Sequence, residues 1–106
     1  MVAIKHVLVD TTSVLHECLS AIASPGSPSH IAIDLEGIDL CRDGRVCLIQ
    51  LFPKGSDTVW LIDVTTLGNI AFDDVDEQGR SLRGILQDPT FTKVSLTLIP
   101  FFLFFF

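Results

Sequence analysis

The chain has 106 residues, 48% of them hydrophobic and 19% charged, with a formal net charge of −6. That length suits one small domain, and the composition argues against disorder over most of it. The acidic balance argues against a protein that grips nucleic acid through a broad basic surface, although bound divalent cations could still hold a phosphate.

Three cysteines, Cys18, Cys41 and Cys47, form no CxxC pair. Neither a disulfide scaffold nor a zinc site is expected, and a reducing compartment, nuclear or cytoplasmic, is the default. The opening MVAIKHVLVD has no long apolar core and no small-residue cleavage site, so it does not read as a secretory signal.

In chain order, residues 5–9 suggest a short strand. Asp10, Thr11, Thr12 and Ser13 then offer N-cap side chains. Val14, Leu15, Cys18, Leu19 and Ile22 recur with the spacing of one helix face. Ser24-Pro25-Gly26-Ser27-Pro28 ends that helix in a loop. Residues 31–36 read as a strand, Asp43-Gly44 as a hairpin turn, and 46–52 as the returning strand. A second turn at 53–57 leads to a third strand at 58–64, which completes an antiparallel meander. Residues 68–79 read as loop or poorly formed helix. A short helix starts near Ser81 and stops at Asp88-Pro89. A fourth strand at 93–98 would complete a parallel crossover. Residues 94–106 are almost wholly apolar, but these 13 residues fall short of the roughly 20 that span a membrane, and Pro100 interrupts them. The expectation is a buried strand with a sticky tail and no membrane partner.

The chemistry is concentrated in Ile31-Ala32-Ile33-Asp34-Leu35-Glu36-Gly37. Side chains on a strand alternate faces, so Asp34 and Glu36 should point the same way, about 7 Å apart, with Ile33 and Leu35 turned into the core. Two carboxylates sharing one face repel each other unless cations lie between them. Hard oxygen ligands suit Mg²⁺ or Mn²⁺, and a pair of such ions can activate water and stabilise the leaving oxygen of a phosphodiester. Asp74-Val75-Asp76 has the same spacing but reads as solvated surface acid. What sets Asp34 and Glu36 apart is the apolar strand before them and the Gly37 and hairpin after them.

These pieces, in this order, resemble the first motif and surrounding strands of the DEDD superfamily of 3′→5′ exonucleases, specifically the domain shared by exosome-associated and Werner-type enzymes. Val9-Asp10-Thr11 and the helix after it resemble the entry segment. Asp34-Leu35-Glu36-Gly37 resembles the first motif, and Arg45-Val46-Cys47-Leu48-Ile49-Gln50-Leu51 the R-x-C-x-I-Q strand. Leu61-Ile62-Asp63 resembles the third strand. Leu82 through Pro89, then Lys93-Val94, resembles an L-x-x-I-L-x-D-P-x-x-x-K-V segment.

The resemblance spans roughly residues 7–94 and implies an α/β, RNase H-like mixed sheet: a three-strand meander, a parallel strand and flanking helices. It also implies two metal ions, Mg²⁺ or Mn²⁺, and removal of nucleotides from the 3′ end of DNA or RNA. Asp34 and Glu36 would be the catalytic metal ligands, with Glu36 also positioning the attacking water. Two further aspartates and a Tyr or His base belong to that pattern. This sequence departs from it after Val94: no acidic residue follows Asp88, and there is no tyrosine. The expected division is an N-terminal part of an exonuclease domain over 1–94 and an aberrant Phe-rich tail over 95–106, non-coding sequence appended to a truncated, inactive product.

Asp63 reads as a turn cap rather than a third ligand. Asp39 reads as a hairpin charge, and Trp60 as core. His6, His16 and His30 are too scattered to share a metal. Arg42, Arg45 and Lys54 read as solvated turn charges. Gln50, in an apolar strand, needs a partner and either supports the acidic pair or meets backbone. No GxxxxGK[S/T] loop or GxGxxG supports a nucleotide-binding ATPase or a dinucleotide site, and Asp-x-Glu is not the Asp-x-Asp of an aspartyl phosphatase. The remaining rival is a non-catalytic module that keeps the fold to bind nucleic acid or a protein partner. A third reading is a truncated chain with no stable fold.

Overall fold

The computed structural model describes residues 3–23, 30–38 and 45–95. The expected Ser24–Pro28 loop, the Asp43-Gly44 turn, Asp39, Cys41, Arg42 and the segment after Ser95 lie outside those residues. The described elements are β1 (Lys5–Val9), α1 (Thr12–Ala23), β2 (His30–Ile38), β3 (Arg45–Pro53), β4 (Thr58–Asp63), α2 (Val64–Leu67), α3 (Ile70–Asp73), α4 (Leu82–Gln87) and β5 (Thr92–Ser95).

The five strands form one mixed sheet in the order β1-β4-β3-β2-β5. β2, β3 and β4 are the expected antiparallel meander. Two parallel strands complete it: β5 beside β2 and β1 beside β4. Strong alternation sets the register, because a slip of one residue would turn every apolar side chain to the wrong face. Ile33 lies opposite Leu51 and Leu35 opposite Ile49, while Trp60 pairs with Leu51 and Ile62 with Ile49.

One hydrophobic cluster holds the fold together. Val9, Ile31, Ile33, Leu35, Ile49 and Ile62 supply it from the sheet, and Leu15, Leu19, Ile22, Ala71, Leu82 and Leu86 from the helices. α1 opens with Thr11 Oγ1 accepting from the Val14 amide at 3.3 Å. It buries Leu15, Cys18, Leu19 and Ile22, at helical spacing. Burial pushes the Cys18 thiol well above its ordinary pKa, so it behaves as an apolar core residue. α4 starts where Ser81 caps the Gly84 amide at 3.1 Å, and it ends at Asp88.

One local expectation needs correction. Val64 does not close the third strand; it begins α2, because the Asp63 side chain caps that turn. Residues 68–79 are, as expected, a short helix and loop: the one-turn helix α3 is followed by a loop closed by Gly79 at φ 76°, a conformation that favours glycine. Trp60 is a core residue, as expected, at 8% exposure.

Every described helix contributes to the cluster on a single side of the sheet, which leaves the other side helix-free among the described residues. The other side carries Leu8, Leu48, Gln50, Phe52, Val59, Leu61, Ala32, Asp34 and Glu36, all half-buried or exposed. No helix among the described residues is long and apolar enough to cross a membrane.

Candidate functional site

Alternation along β2 puts Ile31, Ile33 and Leu35 in the core at 1%, 1% and 3% exposure. Asp34, half-buried, and Glu36, exposed, therefore project from the opposite, helix-free face of the sheet. The buried residues that alternate with the two acids anchor the strand that presents them.

Gln50 lies directly opposite Asp34 in the β2–β3 ladder, on the same face. Its Nε2 donates to Glu36 Oε1 at 3.3 Å. This is the supporting partner that the sequence left open between the acidic pair and backbone. The next step of the ladder is irregular: Glu36 faces Leu48 but Gly37 faces Val46, so Cys47 has no partner opposite it. Such bulges bend a strand and increase its twist. This one falls just beyond Glu36.

Asp63 shares this face, opposite Leu48, two strands from Glu36 and so about 10 Å away. Its Oδ1 accepts from the Thr66 amide at 3.0 Å and its Oδ2 from Thr66 Oγ1 at 2.7 Å. The Thr66 hydroxyl, then the Thr66 amide, holds the Asp63 carboxyl below the usual carboxylate range. Asp63 is thus the turn cap expected of it. His6 and His30 lie on exposed positions of separate strands, while His16 Nε2 sits 2.6 Å from Asp74 Oδ2. Arg45 and Lys54 are exposed; Arg45 lines a cleft with Val64, Asn69 and Phe72 on the helix side of the sheet.

Sequence reasoning misjudged Asp74 and Asp76. Neither is a freely solvated acid. Asp74 ties the loop after α3 to α1 through His16. Asp76 is 8% exposed. Its Oδ1 accepts from the Gln78 amide at 3.0 Å and the Arg80 amide at 2.9 Å, and its Oδ2 from Arg80 Nε at 2.7 Å. Burial alone would raise the Asp76 pKa, but the hydrogen bonds from Arg80 and Gln78 together outweigh it and hold it low. The signal available in the sequence was an Asp and an Arg four apart with Gly79 between them.

The donor set at Asp34 and Glu36 consists of carboxylate oxygens, the type preferred by Mg²⁺ and Mn²⁺. Mg²⁺ is commonly held by one or two carboxylates, with waters and substrate phosphates completing its shell, so a pair of acids fits that ion. Among the described residues no group of three or more His, Cys, Asp or Glu could hold a metal.

No family model matches the chain, and no curated protein matches it in sequence. Solved structures do match it. Trypanosoma brucei RNase D in complex with RNA U12 superposes with a TM-score of 0.69 at 26% identity, over 89% of this chain and 30% of that one. A second structure of T. brucei RNase D gives 0.69 at 24% identity, over 91% and 31%. The catalytic core of RRP6 from T. brucei gives 0.65 at 21% identity, over 90% and 23%. This chain therefore spans less than a third of the length of these proteins, and it has the α/β, RNase H-like fold of their nuclease cores.

Proposed function

We propose that this chain supplies the first metal-binding element of a 3′→5′ exonuclease-type domain, with Asp34 and Glu36 as ligands for Mg²⁺ or Mn²⁺. One observation carries the reading: Asp34 and Glu36 stand on the helix-free face of a strand whose alternate residues are buried, and Gln50 engages Glu36. The fold match to an RNase D bound to RNA supports nucleic acid as the partner, approached at its 3′ end. When bound, the cation would polarise a phosphodiester and lower the pKa of the attacking water. Asp34 and Glu36 would hold it, and Gln50 would keep the Glu36 carboxylate turned toward it.

A titration of Mn²⁺ into the folded chain tests this directly. The expected result is saturable binding that weakens about 10-fold or more in Asp34→Ala, the scale at which even outer-shell partners of a metal matter. Equal binding by the wild-type chain and the variant would overturn the assignment.

A second reading has its own support. Because no third ligand accompanies the pair among the described residues, the chain is expected to be inactive by itself. Two side chains from one strand do not preorganise two metals in working geometry. Incubation with a 3′-labelled oligonucleotide and Mg²⁺ should release no mononucleotides. Release that disappears in Asp34→Ala would show that the chain is a complete enzyme. A module that binds through this fold without cutting would bind the oligonucleotide equally well with or without the metal.

A further inference from the structure

A cleft of about 460 Å³ opens on the helix side of the sheet, where β3 begins and α2 packs on it. Asp34 and Glu36 stand on the other side, so the cleft lies apart from the proposed cation site. Its volume is in the range of small-molecule sites, roughly 300–1,000 Å³. Buried Val46 and Val64 and half-buried Phe72 supply its apolar lining. Arg45, Thr65 and Asn69, all exposed, supply its polar groups. Arg45 makes no ion pair among the described residues. Asn69 stands at the start of α3, yet its side chain makes no capping bond. The acids that flank α2 and α3 are already occupied: Asp63 accepts from Thr66, and Asp73 from Arg83 at 2.6 Å. Arg83 also lies over the Phe72 ring, 5.7 Å from its centroid, which holds that ring in place.

We infer that this cleft binds a nucleoside monophosphate with an adenine base. In a chain of net charge −6, a guanidinium without a partner in a concave site selects an anion. A phosphate answers to it, because the planar fork of Arg45 matches phosphate oxygens. A flat base stacks on an aromatic side chain such as Phe72. A carboxamide such as Asn69 offers the donor and acceptor that complement the N6 and N7 edge of adenine. The Thr65 hydroxyl adds a further donor for phosphate or ribose. An acidic peptide is the poorer occupant, since it answers to Arg45 and not to the pairing of ring and carboxamide. The inference is independent of the metal assignment, because no carboxylate lines the cleft.

The test is an equilibrium titration of AMP into the full chain in EDTA, which keeps the cation site silent. The expected result is saturable binding, with adenosine and ribose 5-phosphate each weaker by about tenfold or more, the scale of a charged hydrogen bond or a stacked base. Arg45→Ala should weaken AMP by about tenfold and leave adenosine unchanged. Asn69→Ala should weaken both. Both side chains are exposed, so neither variant disturbs the core. Lys54→Ala removes the same charge just past the other end of β3 and should bind AMP as the unaltered chain does. No saturation by about 1 mM AMP would overturn the inference. So would equal losses in Arg45→Ala and Lys54→Ala, which would reduce the effect to overall charge. Ribose 5-phosphate binding as tightly as AMP would overturn it as well, leaving a site for phosphate without a base.

Discussion

Gln50 Nε2 donates to Glu36 Oε1 at 3.3 Å while Gln50 itself lies opposite Asp34 in the β2–β3 ladder. Gln50 thus stands beside Asp34 in the ladder and reaches Glu36 with its amide. An amide of this kind orients a carboxylate without competing for a cation, as the outer partners of metal ligands do.

Replacing Gln50 should accordingly affect the site and spare the fold. Gln50 is half-buried on the helix-free face, outside the hydrophobic cluster. Gln50→Leu is expected to leave the thermal midpoint within about 4 °C, the shift that corresponds to roughly 1 kcal/mol in a domain of this size. It should weaken Mn²⁺ binding about 10-fold. Differential scanning calorimetry and metal titration on the same sample separate the two effects; a collapse of stability with unchanged metal binding would assign Gln50 a purely structural role.

Trp60 contributes bulk to the core, but its buried indole Nε1 has no hydrogen-bond partner among the described residues. An unpaired buried donor costs about 1–3 kcal/mol. Trp60→Phe removes that donor and keeps an aromatic ring, so denaturant unfolding should show it neutral or more stable. Trp60→Ala should cost about 3–5 kcal/mol through the cavity it leaves. A Trp60→Phe variant as damaging as Trp60→Ala would mean that the indole nitrogen is paired after all.

The acidic side of the stability profile follows from four aspartates. Asp63, Asp73, Asp76 and Asp88 all sit below their ordinary value of 3.8. Thr66 lowers Asp63, Arg83 lowers Asp73, and Thr90 lowers Asp88. For Asp76 burial opposes the shift, and the bonds from Arg80 and Gln78 overcome it. A carboxylate depressed in the folded state adds stability above its unfolded pKa and loses it as pH falls through the folded one. Stability contributed by these groups should therefore be constant from pH 7 to about 5 and decline below about pH 4. Asp76→Asn should lower the neutral-pH midpoint and make the acid limb shallower. An unchanged acid limb would contradict the role given to Asp76.

The sequence made the meander readable because Ile31, Ile33 and Leu35 alternate with Ala32, Asp34 and Glu36, and a period of two has one sensible burial. α1 was readable for the analogous reason at helical spacing. Two features were not. The docking of β1 beside β4 depends on a pairing between residues more than fifty positions apart, which local periodicity does not encode. The roles of Asp74 and Asp76 depend on His16 and Arg80 meeting them in space. At the site, the common direction of Asp34 and Glu36 followed from the strand period. The bulge opposite Cys47 did not, because it arises from how two strands fit rather than from either alone.

Site-resolved metal contact bears most directly on the central claim. In a nuclear magnetic resonance titration, substoichiometric Mn²⁺ should broaden the amide signals of Asp34, Leu35, Glu36 and Gln50 first, and Asp34→Ala should abolish that selectivity. Broadening that begins instead around Asp73, Asp74 and Glu77, or that spreads evenly over the acidic surface, would contradict the assignment of Asp34 and Glu36 as the cation site.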